Sequence, residues 1–291
     1  MKYTAAHLRA HRALHRAAGL KIRRGRMPRS KGPTKARLRY QTFLTGLCRD
    51  MRAAFAEVLY PALSELITAG DRERGRGDSI RMDATADELN ALFERLRLVF
   101  LRMRPDTEPI VENVAQAVDE QSAAEFTAQM RAAVGLEIIS PTPWRAAVQR
   151  GFMEDNLSLI TSLSDDTLAQ ARTVVSSGIR SGARVEAIRD ELEVRLGVQE
   201  SRAALIARDQ TLKLYGEEAQ ARQMAVGIEE YTWNTSHDER VRAGHQALDG
   251  TVHRWDDPPI VDAKTGRKAN PGLDYQCRCV GIPKIPDEML Q

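Results

Sequence analysis

Cys277 and Cys279 are two of only three cysteines in the chain, and they stand one residue apart. Upstream of them lie Asp238, His245, the turn Leu248-Asp249-Gly250, and Asp274. Thiolates, imidazole and carboxylates are the donors of a zinc-type centre. Read as a strand, Cys277-Arg278-Cys279 puts both sulfurs on one face with Cα atoms about 6.6 Å apart. That separation is near the outer limit for a disulfide, whereas two same-facing thiols can share a metal. His245 is the third candidate ligand, and the fourth stays open among Asp238, Asp274, His237 and His253. The competing reading is a metal-free, hydrogen-bonded polar cluster. Catalysis is a further alternative: a metal-dependent nuclease or transferase centred on His245, Cys277 and Cys279, with Asp249 or Asp238 orienting the imidazole. Against it, the sequence holds no nucleophile elbow, Walker loop, HExxH or dinucleotide glycine pattern. The chain is read as non-enzymatic, with no catalytic residue.

The elements that must carry these residues follow from periodicity. Apolar spacing predicts helices over 4–20 (capped by Thr4), 36–69 with a kink or split at Pro61, 84–103 and 107–134. Cys48 falls in an apolar helical run and reads as a small core residue. Ser140-Pro-Thr-Pro143 breaks the chain, and helices resume over 144–160, from a cap at Ser164-Asp165-Asp166 to Ser177, up to Gly197, and over 199–226. The period then turns towards two: Tyr231 and Trp233 suit one strand, Val252 to Trp255 a second, and Gln276 to Ile282 a last one. Asp249-Gly250 is a tight turn, and Trp233 and Trp255 are core aromatics. The fold class is a mainly α N-terminal region plus an α+β C-terminal domain with a small irregular antiparallel sheet. The division is a basic arm and linker over 1–35, a helical region over 36–140, and a C-terminal domain over 144–291 with its core at about 155–285.

Charge is distributed unevenly. Residues 1–49 hold 14 Lys/Arg and no acid, while the remaining 242 residues hold 29 Lys/Arg against 40 Asp/Glu, a net of −11. A basic block of this kind is a footprint for phosphate or for an acidic protein surface. Its candidate contacts to nucleic acid or to an acidic partner are Arg9, Arg12, Arg16, Lys21, Arg23, Arg24, Arg26, Arg29, Lys31 and Lys35. A DNA-binding protein acting through this arm is therefore another alternative. His7, His11 and His15 share a helical face and read as a titrating basic face rather than a metal site. Gly25, Pro28, Gly32 and Pro33 make 23–35 a linker, expected to be mobile until it meets a partner. No apolar run is long enough to span a membrane, no secretory signal is visible, and three cysteines suit a reducing compartment.

In order along the chain stand Ile206-Ala-Arg208-Asp209-Gln, Trp233, Asp238-Glu-Arg240, His245, Leu248-Asp249-Gly250 and Cys277-Arg278-Cys279. This series resembles the phage head-morphogenesis family, the Mu F-like minor head proteins, over about residues 155–285. The resemblance makes Arg208, Trp233, Asp238, Arg240, Asp249 and Gly250 structural motif positions. It departs from the family where many members have a Cys pair in place of Arg242 and His245, and a His in place of Asp274. The resemblance implies a minor head protein acting in procapsid assembly at the portal vertex, made in the host cytoplasm and kept in the capsid interior. The implied partners are the portal, scaffold and major capsid proteins, with packaged DNA as a further contact and no membrane. Zinc is the one cofactor to consider. The sequence runs 12 residues past Cys279, so no appended toxin domain is expected.

Overall fold

A computed structural model of the protein describes residues 5–19, 25–74, 82–103 and 107–290. The expected cap Thr4, the candidate contacts Lys21, Arg23 and Arg24, and the side chains of His15 and Arg16 lie outside what is described. Among the described residues, seven long or medium helices come first: α1 (Ala5–Ala17), α2 (Thr34–Ala54), α3 (Tyr60–Arg74), α4 (Met82–Arg102), α5 (Thr107–Val134), α6 (Arg145–Ser181) and α7 (Val185–Ala225). A small module follows with β1 (Glu230–Asn234), α8 (Ala243–Leu248), β2 (Val252–Arg254), β3 (Ile260–Asp262), β4 (Arg267–Lys268), β5 (Val280–Pro283) and α9 (Asp287–Leu290). The expected helical region with a late antiparallel sheet is what forms.

Contacts group the chain into two units. One comprises Met1–Leu38, Glu112–Met153 and Arg208–Gln291; the other comprises Arg39–Val111 and Glu154–Ala207. This differs from the linear division at 140–143, because α5, α6 and α7 each contribute residues to both units. Ser140-Pro-Thr-Pro143 is a short non-helical link between α5 and α6 inside the first unit.

The second unit is helical. Between α2 and α3 the helix widens into a π turn at Phe55–Leu59, closed by the Tyr60 N–H on the Phe55 carbonyl. Pro61 explains it: proline lacks an N–H and its ring crowds the carbonyl one turn back, so the preceding turn opens. The widened turn sets Phe55 against Phe100 of α4, ring centroids 5.8 Å apart. Cys48 is buried, as expected, and burial pushes its thiol up to about 11. Two expected helix boundaries, a start at Ser164 and an end at Gly197, do not occur. Ser164 is buried inside α6, where its hydroxyl donates to the Ile160 carbonyl 3.2 Å away instead of capping. Gly197 lies inside α7, so a lone glycine costs about 1 kcal/mol of helix propensity without ending the helix.

The first unit holds the sheet, ordered β2-β1-β5 and antiparallel throughout. β1 alternates, with Tyr231 and Trp233 wholly buried and their neighbours half-exposed. Tyr231, Trp233, Trp255, Val261, Cys277 and Cys279 form one apolar cluster. Removing a buried Trp side chain from such a cluster costs about 3–5 kcal/mol. Gly281 on β5 is fixed by this packing: a Cβ there would sit 2.5 Å from the Trp255 ring. The loop before the cysteines is docked on α7 by a second close approach. A Cβ on Gly216 would lie 2.9 Å from the Pro271 carbonyl, and Gly272 opposite takes φ +89°.

The expected mobile linker is instead tied down where it is described. Gly25 N–H donates to the Ala132 carbonyl at 2.8 Å, Lys31 N–H to Glu125 at 3.2 Å, and the Ser30 hydroxyl bonds Glu125 and Tyr215. Glycine and proline there shape a fixed path along α5 rather than a free tether. Arg12 also departs from the reading of a solvent-facing contact: it is buried, and its guanidinium donates to the Met289 carbonyl of α9. Arg9, Arg26, Arg29, Lys31 and Lys35 are exposed, as are His7 and His11.

Candidate functional site

His245 is carried by the short helix α8, and its side chain is 3% exposed. Its Nδ1 lies 3.4 Å from Cys277 Sγ and 3.5 Å from Cys279 Sγ. Its other nitrogen, Nε2, lies 2.9 Å from Asp274 Oδ2. The Trp233 ring meets the imidazole edge-on, centroids 5.5 Å apart. Asp274 is itself bracketed by Arg242 at 3.0 Å and Arg267 at 3.1 Å. Carboxylate, imidazole and two sulfurs therefore stand in line, and all are buried.

The cysteines do not lie in a strand. They precede β5 in a turn where Cys277 N–H closes on the Asp274 carbonyl at 3.1 Å and Gln276 takes φ +49°. The turn does what a strand would have done, bringing both sulfurs to one point. It also aims the N–H groups of Gly272 and Cys279 at Cys277 Sγ, each 3.4 Å away. The Cys279 thiol foremost, then the imidazole and those N–H groups, hold the Cys277 thiol down at about 5 despite burial. Cys279 is pushed up, by its bond to Cys277 and by burial. Cys277 in turn raises His245 above the usual imidazole range. Cys277 is thus the more acidic of the two thiols.

The donor set suits zinc. His245, Cys277 and Cys279 each present one ligand atom, all within 4.8 Å of one another. With zinc–sulfur near 2.3 Å and zinc–nitrogen near 2.0–2.1 Å, tetrahedral geometry separates S and N by about 3.5 Å, as found between Nδ1 and each sulfur. Asp274 occupies the place of the carboxylate that orients a metal-bound histidine, on the nitrogen facing away. It is therefore not arranged as a fourth ligand. Nor is Asp238, whose carboxylate is held by both Arg278 Nη atoms and by the Arg240 N–H at 3.0 Å. His253 bonds Thr251, and His237 faces Thr235 and Asp249.

The remaining motif residues are structural clasps. Asp249 Oδ1 accepts from Thr235 N–H at 2.8 Å and its hydroxyl at 3.0 Å, while Gly250 turns with φ +76°. Arg208 and Asp209 do not pair with each other. Arg208 donates to the Gln276 side chain, and Asp209 accepts the Gln276 N–H and pairs with Lys213 at 2.7 Å. The cysteine turn thus grips α7 through Gln276.

Sequence reasoning missed two features. Arg267 reaches Asp274 from β4, and no local spacing announces that pairing. A second buried polar centre joins Asp119 of α5 to Arg222 of α7 and Arg145 of α6, with Glu218 wholly buried beside them. Its signal was present: Glu218 and Arg222 are four apart in a helix, on a face that also carries buried Leu214.

Residues 169–282 match the family described as Phage Mu protein F like protein. An uncharacterized protein of Haemophilus influenzae is 30% identical over 189 residues, covering 62% of this chain and 41% of that relative. The chain thus spans about two fifths of the length of this curated relative. No solved structure matches. The matched segment contains His245, Asp274, Cys277 and Cys279 together with the clasp residues Arg208, Asp209, Asp238 and Asp249.

Proposed function

We propose that the chain is a minor head protein of a tailed phage, a non-enzymatic component of procapsid assembly. In this reading it is made in the host cytoplasm, enters the procapsid at the portal vertex, and stays in the virion. Its partners are the portal, scaffold and major capsid proteins, and packaged DNA is a further contact for exposed arm residues such as Arg26, Arg29, Lys31 and Lys35. No described helix is long and apolar enough to cross a membrane. The observation that carries the reading is that the motif residues of the matched segment converge as clasps of one module.

Burial also bears on the enzyme alternative. A catalytic thiolate must meet its substrate, yet Cys277 and Cys279 are 3% and 5% exposed. Such a centre suits structure: His245, Cys277 and Cys279 would hold one zinc, with Asp274 fixing the imidazole. A bound zinc would supply folding free energy through its ligand bonds. The test is to delete the coding sequence from a phage that carries it and to quantify the protein in purified heads of the parent. The reading expects the protein in procapsids and virions at low copy, and defective heads on deletion. Normal infectious heads that never contain it would overturn the reading.

A further inference from the structure

Three arginines from separate motif segments come together on one surface. Arg208 belongs to α7, Arg240 to the loop after β1, and Arg278 stands between the two cysteines. The linkage is direct. Arg208 bonds the Gln276 side chain; two residues on, Arg278 grips Asp238 with a 2.7 Å bond from Nη2; and Asp238 accepts the Arg240 N–H. Arg37, in the first turns of α2, joins the same field. With Arg278 and Arg240 it lowers the pKa of Arg208, second to the effect of burial.

The carboxylates at hand do not balance these charges. Asp209 is committed to Lys213 and the Gln276 N–H, and Asp238 to Arg278. Glu239 is exposed in the same loop. Among the described residues the guanidinium groups of Arg37 and Arg240 have no ion-pair partner, and the buried Arg208 Nε has no hydrogen-bond partner. The backbone is also held in unusual form here: His237 and Gln276, at φ +53° and +49°, are the two described non-glycine residues in the left-handed region. Beside Gln276, Tyr275 is 65% exposed with Lys213 and Arg267 over its ring, at 5.5 and 5.3 Å. Uncompensated guanidinium forks beside an exposed aromatic ring are the chemistry of phosphodiester binding.

We propose that Arg37, Arg208, Arg240 and Arg278 form a phosphate-binding patch that contacts the backbone of nucleic acid. The patch is distinct from the basic arm and does not depend on metal at the cysteines. It deepens the assembly reading by giving the motif module its own contact to packaged DNA. The test uses the full chain, a fluorescent DNA duplex, and affinity measured across a series of salt concentrations. Arg240→Gln and Arg37→Gln are the informative variants, since neither side chain makes a hydrogen bond or ion pair among the described residues, and a melting curve for each checks that the fold is kept. Each lost phosphate contact should lower the salt slope by about 0.9, which is about eightfold weaker binding near 0.1 M salt. Arg254→Gln, paired with Glu229 and Asp256 away from the patch, should bind like the parent. Parent-like affinity and slope in the Arg240→Gln, Arg37→Gln double variant would overturn the proposal. So would a double variant that loses binding to polyglutamate while holding DNA, which would make the patch a seat for an acidic protein. Incorporation into heads is scored in parallel: unchanged DNA binding with normal incorporation removes the patch and leaves the assembly reading standing.

Discussion

Two buried polar centres in the same unit solve the cost of burial differently. On the helices, Asp119 is gripped by Arg222 and Arg145, and Arg222 also reaches Ser122 at 3.1 Å and covers the Trp144 ring. Glu218 sits wholly buried beside them, neither oxygen hydrogen-bonded, and burial first, then Asp119, pushes its pKa up to about 8. That centre balances itself by keeping a proton. In the sheet module, His245, Cys277 and Cys279 converge with matching separations, and their carboxylate partner waits behind the imidazole. That centre has the donor geometry that a bound cation would need. The contrast shows how one unit can hold a proton-neutralised acid and a metal-ready thiol pair: the first needs only apolar surroundings, the second needs convergent donors.

The largest effect that would sharpen this contrast comes from the thiol centre. If zinc is held there, its contribution to folding is on the order of 10 kcal/mol. Chelator or Cys277→Ser should then sharply lower the melting temperature, and elemental analysis should find about one zinc per chain. Metal-free protein that melts identically with and without chelator would reduce the cluster to hydrogen bonds.

Next in size is the helical centre. Asp119→Ala strips the partner from two arginines, one of them 3% exposed, and should cost about 3–5 kcal/mol in urea unfolding. A loss below about 1 kcal/mol would mean that these guanidinium groups reach water on their own.

Glu218 gives the pH signature. Its folded pKa of about 8 lies above the unfolded value of 4.5, so the folded state holds more protons between those values. Stability therefore falls as pH rises from about 4.5 to 8 and is level above that. Glu218→Gln should remove this component, gaining on the parent with rising pH by up to a few kcal/mol. Urea unfolding of both proteins at pH 5, 7 and 9 measures the difference, and parallel curves would refute the buried acid.

The smallest effect separates orientation from ligation. Asp274→Asn keeps the shape but weakens the charge behind His245, and should lower metal affinity by about 10- to 100-fold. A complete loss of metal would instead make Asp274 a ligand.

How much of this was legible follows the range of each signal. Helix positions and the Trp strands read well because period and burial are local, as Tyr231 and Trp233 show. Ser164 and Gly197 misled because cap and stop signals are weak beside the packing of a long helix. The ligand trio was visible by residue type, but the role of Asp274 was not: which face of an imidazole a carboxylate takes depends on a turn 29 residues away in sequence. Asp238 looked like a ligand and is a clasp, since its partner Arg278 lies 40 residues on.

The central claim, that the His245 centre builds an assembly module rather than an active site, meets its most direct test in His245→Ala. The measurement is paired: thermal melting and incorporation into heads for the variant, with nuclease and nucleotide-transfer assays on the parent. Buried partners left unpaired cost about 1–3 kcal/mol each. The account predicts an inactive parent, a variant that melts lower, and heads that form poorly or lack the protein. A parent that cuts or modifies a substrate, with a variant that loses that activity yet melts normally, would contradict it.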